Sequence, residues 1–200
     1  MWAGIALKKI LIAGEAGQTT NYENALAAMQ VHFVTSLQVK DVDEYDGLLL
    51  PGGGDVDPKL FGQLLIPETE IRQYSRWEQQ LIRKGQEKLT PELDRIQLAI
   101  LKAFCQYRKP VFGICKGMQL INIAFGGDML RHLPTAVHHA YREKDQMHPA
   151  RNEVNSFLYE VYGSDMLVNS AHHQGVGIPG RGIRYVQYAP DGVVEGLQHE

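Results

Sequence analysis

Leu48-Leu49-Leu50 is an unbroken apolar run, and Pro51-Gly52-Gly53-Gly54 ends it at once. A strand apolar at consecutive positions must be covered on both faces, the condition of a strand inside a parallel sheet. A proline followed by three glycines does not continue such a strand. Around this run the chain alternates strand-like and helix-like segments. Leu7 to Ala13 reads as a first strand, ended by Gly14. Thr20-Asn21-Tyr22-Glu23 reads as a capping box opening a helix that continues through Gln30. Val31 to Thr35 is strand-like again. Gln63 to Gln106 reads as mostly helix, with Lys84 to Thr90 as an exposed polar connection inside it. Thr90-Pro91 is the start signal for its second half, which places Leu93, Ile96, Ile100, Ala103 and Phe104 on one face. Val111 to Ile114 predicts a strand, and Met118 to Ala124 a helix closed by Gly126-Gly127. His132 to Asn155 is polar and has no clear period. Met166 to Val168, Tyr185 to Tyr188 and Val193 to Leu197 predict late strands. Such alternation defines an α/β fold with a mostly parallel central sheet.

The chain has 200 residues, the size of one domain, and the expectation is a single domain over 1–200. Lys and Arg number 20 against 23 Asp and Glu, a net charge of −3, which argues against a nucleic-acid partner held by a basic surface. No apolar run approaches the roughly 20 residues that span a bilayer. Lys8-Lys9 follow the apolar Met1 to Leu7 segment, the wrong order for a secretory signal. Cys105 and Cys115 are too few for a disulfide framework, so a reducing, cytoplasmic setting is expected.

The strongest chemical signal is Gly113-Ile114-Cys115-Lys116-Gly117, set between a strand and a helix. This is a G-x-nucleophile-x-G elbow with cysteine as the nucleophile. A tight strand-to-helix turn crowds the backbone, and glycine relieves the crowding. The helix N-terminus and the Lys116 side chain would both favour the thiolate. A buried structural cysteine packed against the sheet is the competing reading. Cys105, in the apolar stretch Ala103-Phe104-Cys105, is expected in the core.

Gly52-Gly53-Gly54 would expose backbone amides at the carboxyl edge of the sheet, where ligands bind in open α/β folds. Such amides could hold an oxyanion, and an ordinary tight turn would also explain them. No GK[ST] ending follows, so a phosphate loop is not indicated. Val168-Asn169-Ser170-Ala171-His172-His173-Gln174 places polar groups directly after a strand, and a cysteine nucleophile needs a base. A hydrogen-bonded structural histidine pair is the alternative there. If His172 and His173 lie on a strand, only one faces the pocket. His138-His139 and His148 show no metal-ligand spacing, and neither a metal nor a cofactor is expected.

Three segments taken together resemble the class I glutamine amidotransferase-like hydrolases. They are Pro51 to Pro58 (PGGGDVDP), Val111 to Asn122 (VFGICKGMQLIN) and Val168 to Gln174 (VNSAHHQ). The closest branch is the gamma-glutamyl-gamma-aminobutyrate hydrolases, which Ala189 to Gly196 also matches. The resemblance implies a flavodoxin-like three-layer α/β/α fold and a Cys-His-Glu triad. By it, Cys115 is the nucleophile, and the amides of Gly53 and Lys116 form the oxyanion hole. It also places Gln119, Asn169, Ser170, His172 and His173 about a gamma-glutamyl substrate. Lys116 stands where the branch usually has arginine. The branch carries its triad His and Glu in a His-Pro-Glu segment beyond the position of Glu195, whereas this sequence reaches Gln198-His199-Glu200. The expectation is a chain cut short of its catalytic base.

These features imply a cysteine hydrolase cleaving gamma-glutamyl amide bonds through a thioester. Two alternatives stand beside it: a catalytically impaired glutamyl-binding protein, and a glutaminase domain of an amidotransferase. The expected partner is a small gamma-glutamyl molecule, with no nucleic acid and no membrane. The sequence leaves the leaving amine and the oligomeric state open, a homodimer included.

Overall fold

The computed structural model describes residues 8–200. The Met1 to Leu7 segment, and with it the start of the first expected strand, lies outside the described residues. In chain order the elements are β1 (Lys9–Ile12), α1 (Thr20–Ala28), β2 (His32–Thr35), β3 (Gly47–Leu50), α2 (Glu68–Ile71), α3 (Arg76–Glu87), α4 (Pro91–Gln106), β4 (Val111–Gly113), α5 (Lys116–Ala124), β5 (Met129–Leu130), β6 (Gln146–Asn152), α6 (Phe157–Tyr162), β7 (Asp165–Ser170), β8 (Gly175–Val176), β9 (Ile183–Tyr188) and β10 (Val194–His199). Two compact units share them. One holds residues up to Gly53 and Thr90–Ile121; the other holds Gly54–Leu89 and Asn122–Glu200.

The first unit carries a four-stranded parallel sheet in the order β2-β1-β3-β4. That is the strand order of the flavodoxin-like doubly wound fold. All four residues of β3 are buried, as the run Leu48 to Leu50 requires, because β1 and β4 flank it and α4 packs on it. Gly47 has no room for more: a Cβ there would meet Ile10 Cδ1 at 3.2 Å and the Pro110 carbonyl oxygen at 3.3 Å.

Helix α4 starts at Pro91 as expected, but its buried face is set differently. Ile100 and Phe104 are buried as expected, together with Asp94, Gln97, Leu98 and Leu101, whereas Leu93 and Ile96 are only half-buried. Two polar side chains share this face because each has a buried partner. Gln97 Nε2 donates to the Ala13 carbonyl at 2.8 Å, and Asp94 pairs with Lys116. Cys105 is half-buried rather than a core residue. The expected capping box at Thr20 is absent. Thr19 is the N-cap, its side chain makes no cap bond, and its hydroxyl donates instead to Glu23 Oε1 at 2.6 Å. Thr35 donates to the same oxygen from β2 at 2.8 Å.

The second unit holds an antiparallel sheet, β10-β9-β6-β7, and a two-stranded pair, β5-β8. The late strands thus form their own sheet. Residues 132–155, read as aperiodic, contain β6, which pairs with β7 in a register that sets His148 opposite Val168. Helix α3 has a complete capping box: Glu78 N donates to Ser75 Oγ, and Ser75 N donates to Glu78 Oε2. It continues through Glu87, so Lys84 to Glu87 is helix rather than an exposed connection. Gly85 permits a close approach there, since a Cβ would collide with the Asp55 carboxylate. No helix among the described residues is long and apolar enough to cross a membrane.

Candidate active site

In the first unit the chain leaves β4 at Gly113 and enters α5 at Lys116, with Cys115 at the bend. Cys115 adopts φ +52, a left-handed conformation that non-glycine residues rarely take without a constraint. The constraint is visible on both sides. A Cβ on Gly113 would stand 2.5 Å from the Gly117 carbonyl carbon, and a Cβ on Gly117 would fall on the Leu50 carbonyl oxygen. Backbone bonds fix the turn: Ile114 N donates to Leu50 O at 3.0 Å and Gly117 N to Ile114 O at 2.9 Å. Cys115 is exposed, while Cys105 is half-buried with its thiol pKa pushed up by that burial.

The glycine loop lies beside the elbow. A Cβ on Gly52 would reach Cys115 Cβ at 3.4 Å, and one on Gly53 would reach Lys116 Cδ at 3.1 Å. Gly52 N donates to the Tyr22 hydroxyl at 2.8 Å, which secures the loop from α1. Lys116 opens α5, whose first amides have no intrahelical acceptor and point toward the bend. The expectation that the Lys116 side chain supports the sulfur needs correction. Its ammonium is buried, pairs with fully buried Asp94, and donates to Thr90 Oγ1 at 3.4 Å. Gln119 is buried in α5, one turn after the cysteine, and its amide N donates to Cys115 O at 3.1 Å.

The remaining predicted site residues belong to the second unit and fall into separate surroundings. Asn169 is exposed on β7 and donates to Asp145 Oδ2 at 2.8 Å. Its neighbour Ser170 is buried on the opposite face, with Oγ 3.4 Å from His139 Nδ1. His172 and His173 follow the end of β7 and turn to different partners. His173 Nε2 donates to Asp55 Oδ2 at 2.9 Å, and its Nδ1 lies 3.0 Å from His132 Nδ1. His132 Nε2 reaches Glu78 Oε1 at 3.3 Å, completing a chain Asp55–His173–His132–Glu78. Burial pushes His132 below its ordinary pKa, against the hydrogen bond to Glu78.

His172 instead faces Glu195 on β10, with Nε2 3.3 Å from Oε2. The same carboxylate meets His139 Nδ1 at 3.1 Å and His148 Nε2 at 3.4 Å. Burial works to raise the Glu195 pKa, yet hydrogen bonds from His139 and His172 bring it down to about 2. Asp191 accepts from His139 Nε2 at 2.9 Å and is likewise held at about 2, against burial, by hydrogen bonds from Thr135 and His139. Burial lowers the His139 pKa, but its bonds to Glu195 and Asp191 outweigh this and raise it above the ordinary value. Sequence reasoning missed the convergence of His139, His148, Asp191 and Glu195. The one signal for it was the Ala189 to Gly196 segment, which matches a family motif and contains both acids.

Comparison with known proteins gives the class first. A glutamine amidotransferase from Thermotoga maritima superposes with a TM-score of 0.62 over 96% of this chain and 71% of its own, at 12% identity. The fold is therefore that of the glutamine amidotransferase-like proteins. The sequence profile of peptidase C26 matches residues 25–200, and the chain belongs to that family of hydrolases. NtpR of Enterococcus hirae is 28% identical over 166 residues, covering 78% of this chain and 62% of NtpR. The gamma-glutamyl-gamma-aminobutyrate hydrolase PuuD of Escherichia coli K12 is 28% identical over 178 residues, covering 81% and 61%. The chain thus spans about three-fifths of the length of these curated relatives.

Proposed function

We propose that the protein hydrolyses gamma-glutamyl amide bonds with Cys115 as nucleophile. The observation that carries this reading is an exposed sulfur on a left-handed bend at the start of α5. The family membership and the likeness to PuuD support the reaction class. The Cys115 sulfur attacks the gamma-carbonyl carbon, and a C–S bond forms. The amides of Gly53 and Lys116 hold the negative charge that develops on the carbonyl oxygen. An imidazole that takes the thiol proton passes it to the amine nitrogen as the C–N bond breaks, and the amine leaves. Water attacks the thioester, releases glutamate and restores the thiol. Gln119 holds the glutamyl group beside the elbow.

The test is incubation with gamma-glutamyl amides followed by peptide mass spectrometry. A glutamyl adduct on the Cys115 peptide, absent from Cys115→Ala, is expected. Hydrolysis that continues unchanged in Cys115→Ala would falsify the proposal.

A further inference from the structure

In the second unit, three imidazoles turn one nitrogen each toward the Glu195 carboxylate, and their other nitrogens are already committed. His139 Nε2 meets Asp191 Oδ2 at 2.9 Å. His148 Nδ1 meets its neighbour's carbonyl, Pro149 O, at 3.0 Å. His172 Nδ1 meets the Gln174 carbonyl at 2.9 Å. Carbonyl and carboxylate oxygens only accept, so each of these nitrogens carries the ring proton. In a neutral imidazole the second nitrogen then has a lone pair and no proton. All three of these second nitrogens lie within 3.4 Å of a Glu195 oxygen, itself an acceptor.

The local geometry agrees with this mismatch. His148 Nε2 is buried 3.4 Å from Glu195 Oε1, yet makes no hydrogen bond. Three imidazolium ions could crowd around the carboxylate, with rings 4.8 and 5.4 Å from that of His139. That places like charges together in a buried setting, which is costly. Alternatively, a single cation could sit among the lone pairs.

We propose that His139 Nδ1, His172 Nε2 and Glu195 bind a divalent transition-metal ion of the zinc class, with His148 Nε2 as fourth ligand. The ligand atoms of His139, His172 and Glu195 already lie within 4.8 Å of one another. Bonds of roughly 2.0–2.1 Å in a tetrahedral site set neighbouring ligand atoms about 3.3 Å apart. His139 Nδ1 and His148 Nε2 stand 3.1 and 3.4 Å from Glu195 Oε1, and His172 Nε2 stands 3.3 Å from Oε2. Three imidazoles and one carboxylate, with no thiolate, suit zinc and its neighbours rather than calcium or magnesium. The outer contacts are those a metal-bound histidine requires: Asp191 orients His139, and the Gln174 carbonyl orients His172. The Ser170 hydroxyl lies 3.4 Å from His139 Nδ1.

The metal proposal does not rest on the chemistry proposed for Cys115, and the test separates the two. The full chain is stripped with a chelator and titrated with zinc chloride by calorimetry. One equivalent is expected to bind, unchanged in Cys115→Ala and lost in His172→Gln and Glu195→Gln. Asp191→Asn should weaken binding by about 10- to 100-fold. Imidazole nitrogen NMR of the unmutated protein decides the matter even where a variant fails to fold. Zinc should move the signals of His139, His148 and His172 and leave those of His132 and His173 in place. Absence of saturable binding, binding unaltered in the folded variants, or movement confined to His132 and His173 overturns the proposal.

Discussion

Cys115 occupies a backbone conformation that costs free energy, and neighbouring atoms hold it there. The flanking glycines show how little freedom remains. Gly117→Ala would force a methyl group onto the Leu50 carbonyl oxygen, which lies in the rigid centre of the sheet. The expected loss is about 1–3 kcal/mol or more, read as a lowered urea midpoint. The exposure difference between the two thiols gives a second expectation. Iodoacetamide should label Cys115 well before half-buried Cys105, as followed by peptide mass spectrometry, and equal rates would contradict the elbow geometry. The buried Lys116–Asp94 pair sets a third. Asp94→Ala leaves an uncompensated buried ammonium and should cost about 3–5 kcal/mol, whereas replacing both residues with apolar ones should cost much less. Chemical denaturation of the single and double variants measures this. The sequence displayed the cysteine and its glycines openly, because that crowding is local to five residues. It did not display Asp94, because the partner of Lys116 comes from 22 positions away in a helix whose pattern reads as amphipathic.

Helix α3 shows how an element can be right in kind and wrong in extent. Its polar C-terminal end resembles a loop, but Gly85 lies on the helix against Asp55, which in turn accepts from His173. Alanine in place of glycine within a helix normally adds about 1 kcal/mol of stability. At Gly85 the sign should reverse, because the methyl group must displace Asp55 from His173; thermal melting of Gly85→Ala is the check. The same group of elements carries a pH dependence through His132. Its folded-state pKa lies below the ordinary value of 6.5, with burial as the main cause. Between the two values the unfolded chain binds the additional proton, so this contribution is present above about pH 6.5 and is lost as pH falls through the folded value. Urea midpoints at pH 7.5 and 5.5 should therefore differ less in His132→Gln than in the unmutated chain. Strand β6 was illegible for another reason. Pro149 and its polar neighbours match no strand pattern, and only pairing with β7 and β9 makes them one.

Across the chain, the strands of the parallel sheet were legible, and so were three of the four antiparallel strands, but β6 and the antiparallel pairing were not. Apolar runs such as Leu48 to Leu50 declare burial on both faces, whereas the late strands carry no such run and leave their partners unspecified. The histidines of the proposed metal site were individually visible, but their meeting point depends on that unspecified pairing. The charge balance of 20 basic to 23 acidic residues carries an expectation for the whole chain: duplex DNA of arbitrary sequence should show no gel shift at physiological salt. Micromolar binding there would contradict it. The exposed sulfur at the elbow also has a chemical consequence beyond substrate attack. An oxidant needs the same access as a carbonyl, so hydrogen peroxide can convert Cys115 to a sulfenic acid and then, irreversibly, to a sulfinic acid. Working life in aerated solution would then depend on available reductant as much as on the strength of the fold.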